Sequence, residues 1–222
     1  MELLLSILVI VSGYLLGSIP SGLIIVRFST GEDVRGVGSG RTGGTNAMRA
    51  AGVWAGIGTA VLDTLKSTAA VWLAQALVPE NVWAHVLAPL GAILGHNYSI
   101  FLITRNEQGR LRIGGGAGGA PAVGGALGLW PPILLFIIPL GVLIFYFIGY
   151  ASITTISVAL IITLIFAYRA WIGASPWQYI LYGVLAEILL LWALRPNIER
   201  LLSGNERLVG YRARKREKER SG

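Results

Sequence analysis

The sequence predicts an all-α, polytopic integral membrane protein with about seven transmembrane helices. Three observations predict it. Of the 222 residues, 54% are hydrophobic and only 13% are charged, where a soluble domain carries about 25% charged residues. The mean hydropathy is +0.67. The apolar residues are gathered into segments of spanning length, and the arginines collect in the polar stretches between them. Residues 1–210 read as one membrane domain and 211–222 as a basic cytoplasmic tail.

Residues 3–26 form the first span, and its lack of a basic start and a small-residue cleavage signature marks it as a retained helix. Its second half carries Gly17-Ser18-Ile19-Pro20-Ser21-Gly22, a break signal. Proline removes a helix hydrogen bond, and small polar neighbours can re-satisfy the freed carbonyls. Such a kink either opens a cavity at the membrane edge or serves packing alone. Beyond Arg27 runs the stretch from Gly36 to Arg49, with five glycines, Ser39, Thr42, Thr45, Asn46, Arg41 and Arg49. Glycines let consecutive N–H groups turn inward, and guanidinium forks suit phosphate oxygens. The stretch is therefore a candidate phosphate loop, or else a plain glycine-rich linker. It is not a Walker loop, because no Gly-Lys-Ser/Thr follows its glycines.

The second span, 53–78, holds Asp63 and Lys66, three apart on one helix face. Ionisable groups within a span face a cavity, a partner or a site, or pair with each other. The third span is 82–103, with His96 and Asn97 towards its end. A polar loop with Arg105, Arg110 and Arg112 then enters a second glycine run at Gly114, Gly115 and Gly116, continued by Ala117, Gly118 and Gly119. Glycines 119, 124, 125 and 128 also suit close helix packing. The remaining spans are 118–130, short and glycine-rich, then 133–148, 156–171 and 176–194, the last carrying Glu187. After Arg195, residues Ile198, Leu201 and Leu202 would share the apolar face of a short tail helix, lying on the membrane or under the bundle.

Seven spans with the N-terminus outside place 16 of the 18 Lys and Arg on the inner face. Both glycine-arginine loops and the C-terminus then meet the cytoplasm. This distribution assigns the net charge of +7 to a membrane's cytoplasmic face rather than to nucleic acid. The chain has no cysteine and two histidines, which excludes a thiol nucleophile, disulfides and a histidine cluster.

These residues resemble the bacterial acyl-phosphate-dependent glycerol-3-phosphate acyltransferases, the PlsY family. The likeness runs in order from residue 17 to 206. It rests on Ser18, Pro20 and Gly22; on Asp33, Arg35, Gly38-Ser39-Gly40, Gly43, Thr45-Asn46 and Arg49; on Asp63 and Lys66; on Gly95-His96; and on Asn197-Ile198, Arg200-Leu201, Gly204 and Glu206. The resemblance implies transfer of an acyl group from acyl-phosphate to the 1-hydroxyl of glycerol 3-phosphate, giving lysophosphatidic acid and phosphate at the plasma membrane. It implies no cofactor and no metal, and leaves oligomeric state open. It assigns Ser39, His96 and Lys66 to catalysis, and Asp63 to holding Lys66. It assigns Arg35, Gly38, Gly40, Thr45, Asn46 and Arg49 of the first loop to the substrate phosphates. Gly115, Gly116 and Gly118 of the second loop, with Asn197 and Glu206, complete the set.

The chain also departs from the family pattern. Arg41-Thr42 stands where the family has Asn-Pro, Ala117 where it has the lysine of Gly-Gly-Lys-Gly, and Leu194 where it has a histidine. The stretch from Phe101 to Gly115 is longer. If the chain is an acyltransferase, another cation must replace that lysine, with Arg41 the first candidate and Arg112 the second. The competing reading is a relative that binds a phosphorylated ligand without turning it over. A transporter is disfavoured, because the polar residues gather at one face rather than at the midplane.

Overall fold

The computed structural model describes residues 1–105 and 108–213. Its body is helical. The first apolar segment is two helices, α1 (Glu2–Ser18) and α2 (Ser21–Thr30), broken at Ile19-Pro20. Gly31, in the left-handed region at φ 76°, ends α2. A single 3-10 turn (Val34–Gly36) follows, then α3 (Gly44–Ala51), α4 (Val53–Leu77) and α5 (Val82–Asn97). Strands β1 (Ile103–Arg105) and β2 (Leu111–Ile113) pair antiparallel with Thr104 opposite Arg112. Helices α6 (Gly119–Leu129), α7 (Leu134–Ile148), α8 (Ala151–Trp171) and α9 (Gln178–Leu202) complete the order.

The chain is an all-α polytopic membrane protein, but the count of seven long spans needs correction. Among the described residues four segments are long and apolar enough to cross a membrane: Glu2–Thr30, Pro131–Ile148, Ala151–Trp171 and Gln178–Leu202. Helix α4 has the length, at 25 residues, but Thr59, Asp63, Lys66, Ser67 and Thr68 dilute its apolar character. Those five side chains are all buried within the bundle. Helices α5 and α6 are only 16 and 11 residues long. Polar or short segments are tolerated at membrane depth when protein surrounds them. The outer helices by contrast present a lipid-facing belt, including Leu135, Ile138, Leu160, Leu164 and Ile188, all more than half exposed.

Further differences have local causes. The glycine stretch 36–49 is not loop throughout, since Gly44 onward is α3. The third span stops at Asn97, and the polar loop beyond it is a hairpin, whose alternation of Ile103 and Ile113 with Thr104 and Arg112 is a strand period. Residues 198–202 do not form a separate tail helix, because α9 runs through Pro196 to Leu202. The basic tail lies outside the described residues from position 214 onward.

Glycines set the helix spacing. Gly13 and Gly17 of α1 leave no room for a Cβ against the backbone of Ala88 and Ala92 on α5. Gly91 and Gly95 of α5 do the same against Ile10 and Tyr14 of α1. Two small-xxx-small faces are thus pressed together, a packing that works without a hydrophobic driving force. Gly124 and Gly128 of α6 repeat the device against Thr64 and Val71 of α4, where Thr68 Oγ1 donates to the Gly124 carbonyl at 2.8 Å.

The loops meet at two ends. At one end Thr42 N–H donates to Gly115 O at 3.2 Å and Val209 N–H to Gly149 O at 2.9 Å. At the other, Asn81 Nδ2 donates to Ser6 Oγ at 3.0 Å, Trp83 packs edge-on to Trp177, and Arg169 lies 4.0 Å over the Trp130 ring.

The α1–α5 contact is testable. Gly13→Leu drives a side chain into the Ala88 carbonyl, and overpacking of this kind costs about 1–3 kcal/mol or more. Gly58→Ala, where an added Cβ meets only Ile25 Cδ1 at 3.5 Å, should be neutral or stabilising by up to about 1 kcal/mol. Melting temperatures in detergent should fall clearly for the first and not the second.

Candidate active site

The end of the bundle where Thr42 meets Gly115 carries the site. Asn46, at the start of α3 and buried, knots the first loop. Its Nδ2 lies within hydrogen-bond distance of the carbonyls of Val34 (2.9 Å), Val37 (2.8 Å) and Arg41 (2.8 Å). Its Oδ1 accepts from the Ser39 N–H at 3.3 Å. The amide is occupied by the loop itself, so Asn46 shapes the loop and offers little to a substrate. Gly38 makes this possible: at φ 56° it sits against Asn46 Oδ1, and a Cβ would collide there. The loop is also capped by Asp33, whose carboxylate accepts from Arg35 N, Nε and Nη2, the last at 2.6 Å. The Arg35 guanidinium holds the Asp33 carboxyl down at about 2, against an ordinary value of 3.8.

Behind the loop, three ionisable side chains meet. Lys66 Nζ of α4 contacts Asp63 Oδ1 at 2.9 Å, Ile19 O at the α1–α2 break at 3.1 Å, and His96 Nδ1 of α5 at 3.0 Å. An ammonium only donates, so Nδ1 of His96 accepts, and the neutral ring then carries its proton on Nε2. That Nε2 faces Gly116, where no Cβ would fit. The second glycine loop lies along the end of α5, with Gly116 N–H donating to His96 O at 2.8 Å and Ser99 N–H to Gly114 O at 3.0 Å.

The C-terminal segment closes the far wall. Glu206 is buried and accepts from Ser152 Oγ of α8 at 2.7 Å and from Asn197 Nδ2 of α9 at 3.0 Å. The Asn197 Oδ1 has no hydrogen-bond partner among the described residues.

These parts enclose a cavity of about 410 Å³. Of the residues singled out in the sequence, Gly38, Ser39, Arg41, Thr45, Asn46 and Arg49 line it, with Asp63, His96, Gly118, Asn197 and Glu206. Ala117 and Leu194, two of the positions that depart from the family pattern, are in the same wall. Lys66 is not among the described lining residues, and it contacts two that are, Asp63 and His96. Arg35, Gly40, Arg112, Gly115 and Gly116 line a second, neighbouring cavity, and Arg41 stands between the two. Sequence reasoning missed Ser152, Thr155, Arg200 and Arg207 in the first wall. Arg200 lay within a matched motif and Arg207 beside Glu206. Ser152 and Thr155 carry no signal that separates them from other small polar residues of an apolar helix.

A polytopic helical bundle with an arginine-flanked cavity at one end, part polar and part apolar, suits a membrane protein that handles a phosphorylated lipid. The chain belongs to the glycerol-3-phosphate acyltransferase family, whose model matches residues 7–204. The glycerol-3-phosphate acyltransferase of Rubrobacter xylanophilus is 36% identical over 210 residues, covering 95% of this chain and 98% of its own. That of Rhodopseudomonas palustris strain BisB5 is 41% identical over 202 residues, covering 90% and 94%. The crystal structure of PlsY (YgiH), an integral membrane glycerol 3-phosphate acyltransferase, in its glycerol 3-phosphate form matches at TM-score 0.78 and 30% identity, covering 92% of this chain and 96% of that one. The lysophosphatidic acid form of PlsY matches at TM-score 0.75 and 28% identity.

Two outcomes follow from the geometry. Lys66→Met leaves the buried Asp63 carboxylate unpaired, at a cost of about 3–5 kcal/mol, while the pair Asp63→Asn with Lys66→Met should recover much of it. Denaturation of the single and double variants in detergent measures this, and equal losses in both would show that the pair is not coupled. The Asp33 cap works in the other direction of pH. Its carboxyl is depressed on folding, so its stabilisation is present above about pH 4 and is lost as pH falls through about 2. Hydrogen exchange of residues 34–46, corrected for intrinsic rates, should therefore stay protected at pH 5 and loosen below pH 3.

Proposed function

We propose that this chain transfers an acyl group from acyl-phosphate to the 1-hydroxyl of glycerol 3-phosphate at the cytoplasmic edge of the plasma membrane. The hydroxyl oxygen forms an ester bond to the acyl carbon, the bond from that carbon to the phosphate oxygen breaks, and the hydroxyl proton leaves on the departing phosphate. The products are lysophosphatidic acid and inorganic phosphate. The observation that carries the proposal is the first cavity, where a knotted glycine loop with Ser39 faces His96 and Arg41. Relatives crystallised with glycerol 3-phosphate and with lysophosphatidic acid support the substrate and the product.

An acyl-phosphate is already activated, so the protein's work is positioning and charge neutralisation. Ser39 and the N–H groups around Gly38 and Gly40 donate to phosphate oxygens, and Arg49 supplies charge. With Lys66 donating to Nδ1, His96 presents an N–H rather than a lone pair at Nε2, which suits a donor to substrate oxygen better than a base. A substrate phosphate is then the proton acceptor. Lys66 and Asp63 are positioning residues for that ring. Thr45, Asn197 and Glu206 shape the substrate wall.

Arg41 answers the loss of the family's lysine and histidine. It shares the wall with Ala117 and Leu194. Its Nη2 donates to the Ala193 carbonyl while its buried Nη1 has no partner among the described residues. Burial, and then neighbouring Arg200, pull its guanidinium below its usual value, so an anion beside it is favourable. Arg112 stands in the other cavity.

Seven crossings, with the N-terminus outside and the C-terminus inside, fit the alternate meeting of loops at two ends. They fit the placement of 16 of the 18 Lys and Arg as well.

Purified protein given acyl-phosphate and glycerol 3-phosphate should release phosphate together with lysophosphatidic acid. Binding without turnover would identify a silent relative instead. Ser39→Ala should lose most of the rate with an unchanged melting temperature. Arg41→Ala should lower kcat/KM for glycerol 3-phosphate by about 10–150-fold, the worth of one charged hydrogen bond. Unchanged kinetics in both variants would sink the loop assignment, and a gain in Ala117→Lys from a near-inactive parent would favour the silent relative.

A further inference from the structure

The hairpin β1–β2 fills the stretch that is longer than the family pattern, and no step of the proposed transfer uses its apolar face. Ile103 pairs with Ile113 and Arg105 with Leu111, so these four side chains share one face while Thr104 and Arg112 share the other. Ile103, Leu111 and Ile113 are 46%, 67% and 50% exposed. Ile100 and Phe101, just before β1, are exposed as well. A lone two-stranded hairpin is marginal in water, and a contiguous apolar patch marks a surface that something covers.

The position of the hairpin identifies its cover. Tyr14 of α1 donates its hydroxyl to Tyr98 O at 3.0 Å, and Ser99 Oγ donates to the Ser18 carbonyl at the α1–α2 break. The chain therefore leaves α5 against a membrane-crossing segment, one that itself exposes Leu15 and Ile19. On the other face of the hairpin, Thr104 and Arg112 border the second cavity together with Trp192 of α9, which is 56% exposed. An exposed tryptophan near the end of a span marks the headgroup level of a membrane. Charge agrees with this level. Residues 100–113 hold three arginines against one glutamate, and basic surface beside a bilayer is drawn to anionic lipid. We propose that the hairpin is an interfacial anchor that lays Ile103 and Leu111 into the boundary between headgroups and acyl chains, with an anionic lipid surface as its partner. Lipid fits better than a protein, because the apolar face begins at a span and continues at tryptophan level. Gly114 N–H donates to Leu102 O at 3.1 Å and Ser99 N–H to Gly114 O at 3.0 Å, so a seated hairpin also steadies the start of the second glycine loop.

A chain without cysteine takes one thiol-linked probe at a chosen position. Leu111→Cys and Thr104→Cys, one on each face of the hairpin, carry an environment-sensitive fluorophore. Leu164→Cys in the lipid-facing belt and Glu80→Cys in the exposed turn before α5 are the references. The full chain is placed in nanodiscs of phosphatidylcholine and phosphatidylglycerol, and the probe is quenched by nitroxide-bearing lipid or by aqueous iodide. The Leu111 probe should follow the Leu164 reference, open to the lipid nitroxide and shielded from iodide, and the Thr104 probe should not. Phe101→Asn with Ile103→Asn should shift the ratio of the two quenching constants at Leu111 towards iodide by about tenfold, since two half-exposed apolar side chains together are worth that factor. Omitting phosphatidylglycerol should shift it the same way. A Leu111 probe that follows Glu80 overturns the proposal. One shielded from both quenchers overturns it too, because protein then covers this face. Equal behaviour at 104 and 111, or a Leu111 probe unmoved by the double variant or by the loss of phosphatidylglycerol, has the same consequence.

Discussion

The Lys66 ammonium is the point on which the site depends. It joins the α1–α2 break through Ile19, α4 through Asp63 and α5 through His96. Burying an unpaired lysine in a bilayer is costly, and three different partners remove most of that cost only when all three elements are in place. The same contact fixes the orientation of His96 and, through it, the bed on which Gly116 lies. The cavity floor and the helix packing are therefore one constraint. A kink that looked like a local accident of Pro20 supplies the carbonyl that completes it, and Ser99 takes the neighbouring carbonyl of Ser18.

Close glycine contacts make this geometry reachable. Lys66 can touch both Ile19 and His96 because α1 and α5 approach backbone to backbone along Gly13, Gly17, Gly91 and Gly95. Larger side chains there would separate the helices and draw the carbonyl away from the ammonium. On the other flank Gly124 and Gly128 bring α6 against α4, which sets the second glycine loop over the first. Small residues thus do in this bundle what large apolar ones do in a soluble core.

Much of this was legible in the chain. The Asp63–Lys66 spacing revealed a paired face, and the Gly-Ser-Gly and Thr-Asn run located the loop. What escaped was directional. Spacing shows that Asp63 and Lys66 share a face but not which of them stands nearer the cavity, since that depends on His96, thirty residues away. Composition could not show that α3 begins inside the glycine stretch, because Asn46 earns its helix start through bonds to three carbonyls of the preceding loop. Hydropathy carried the third span to residue 103, whereas α5 stops at Asn97 and the apolar residues beyond it belong to a hairpin. The division of the loop arginines between two cavities has no trace in sequence, as neighbours in the chain such as Gly40 and Ser39 face different spaces.

Glu206 and Val209 give the site a dependence on the order of synthesis. The nascent chain delivers the first loop, the paired helices and the second glycine run long before it delivers residue 206. Until that residue emerges, Ser152 and Asn197 lack their shared acceptor, and Gly149 lacks the amide of Val209. The cavity consequently has this wall incomplete until residue 206 is made. A newly inserted chain is barred from holding its substrates in the finished geometry while its bundle is still being assembled.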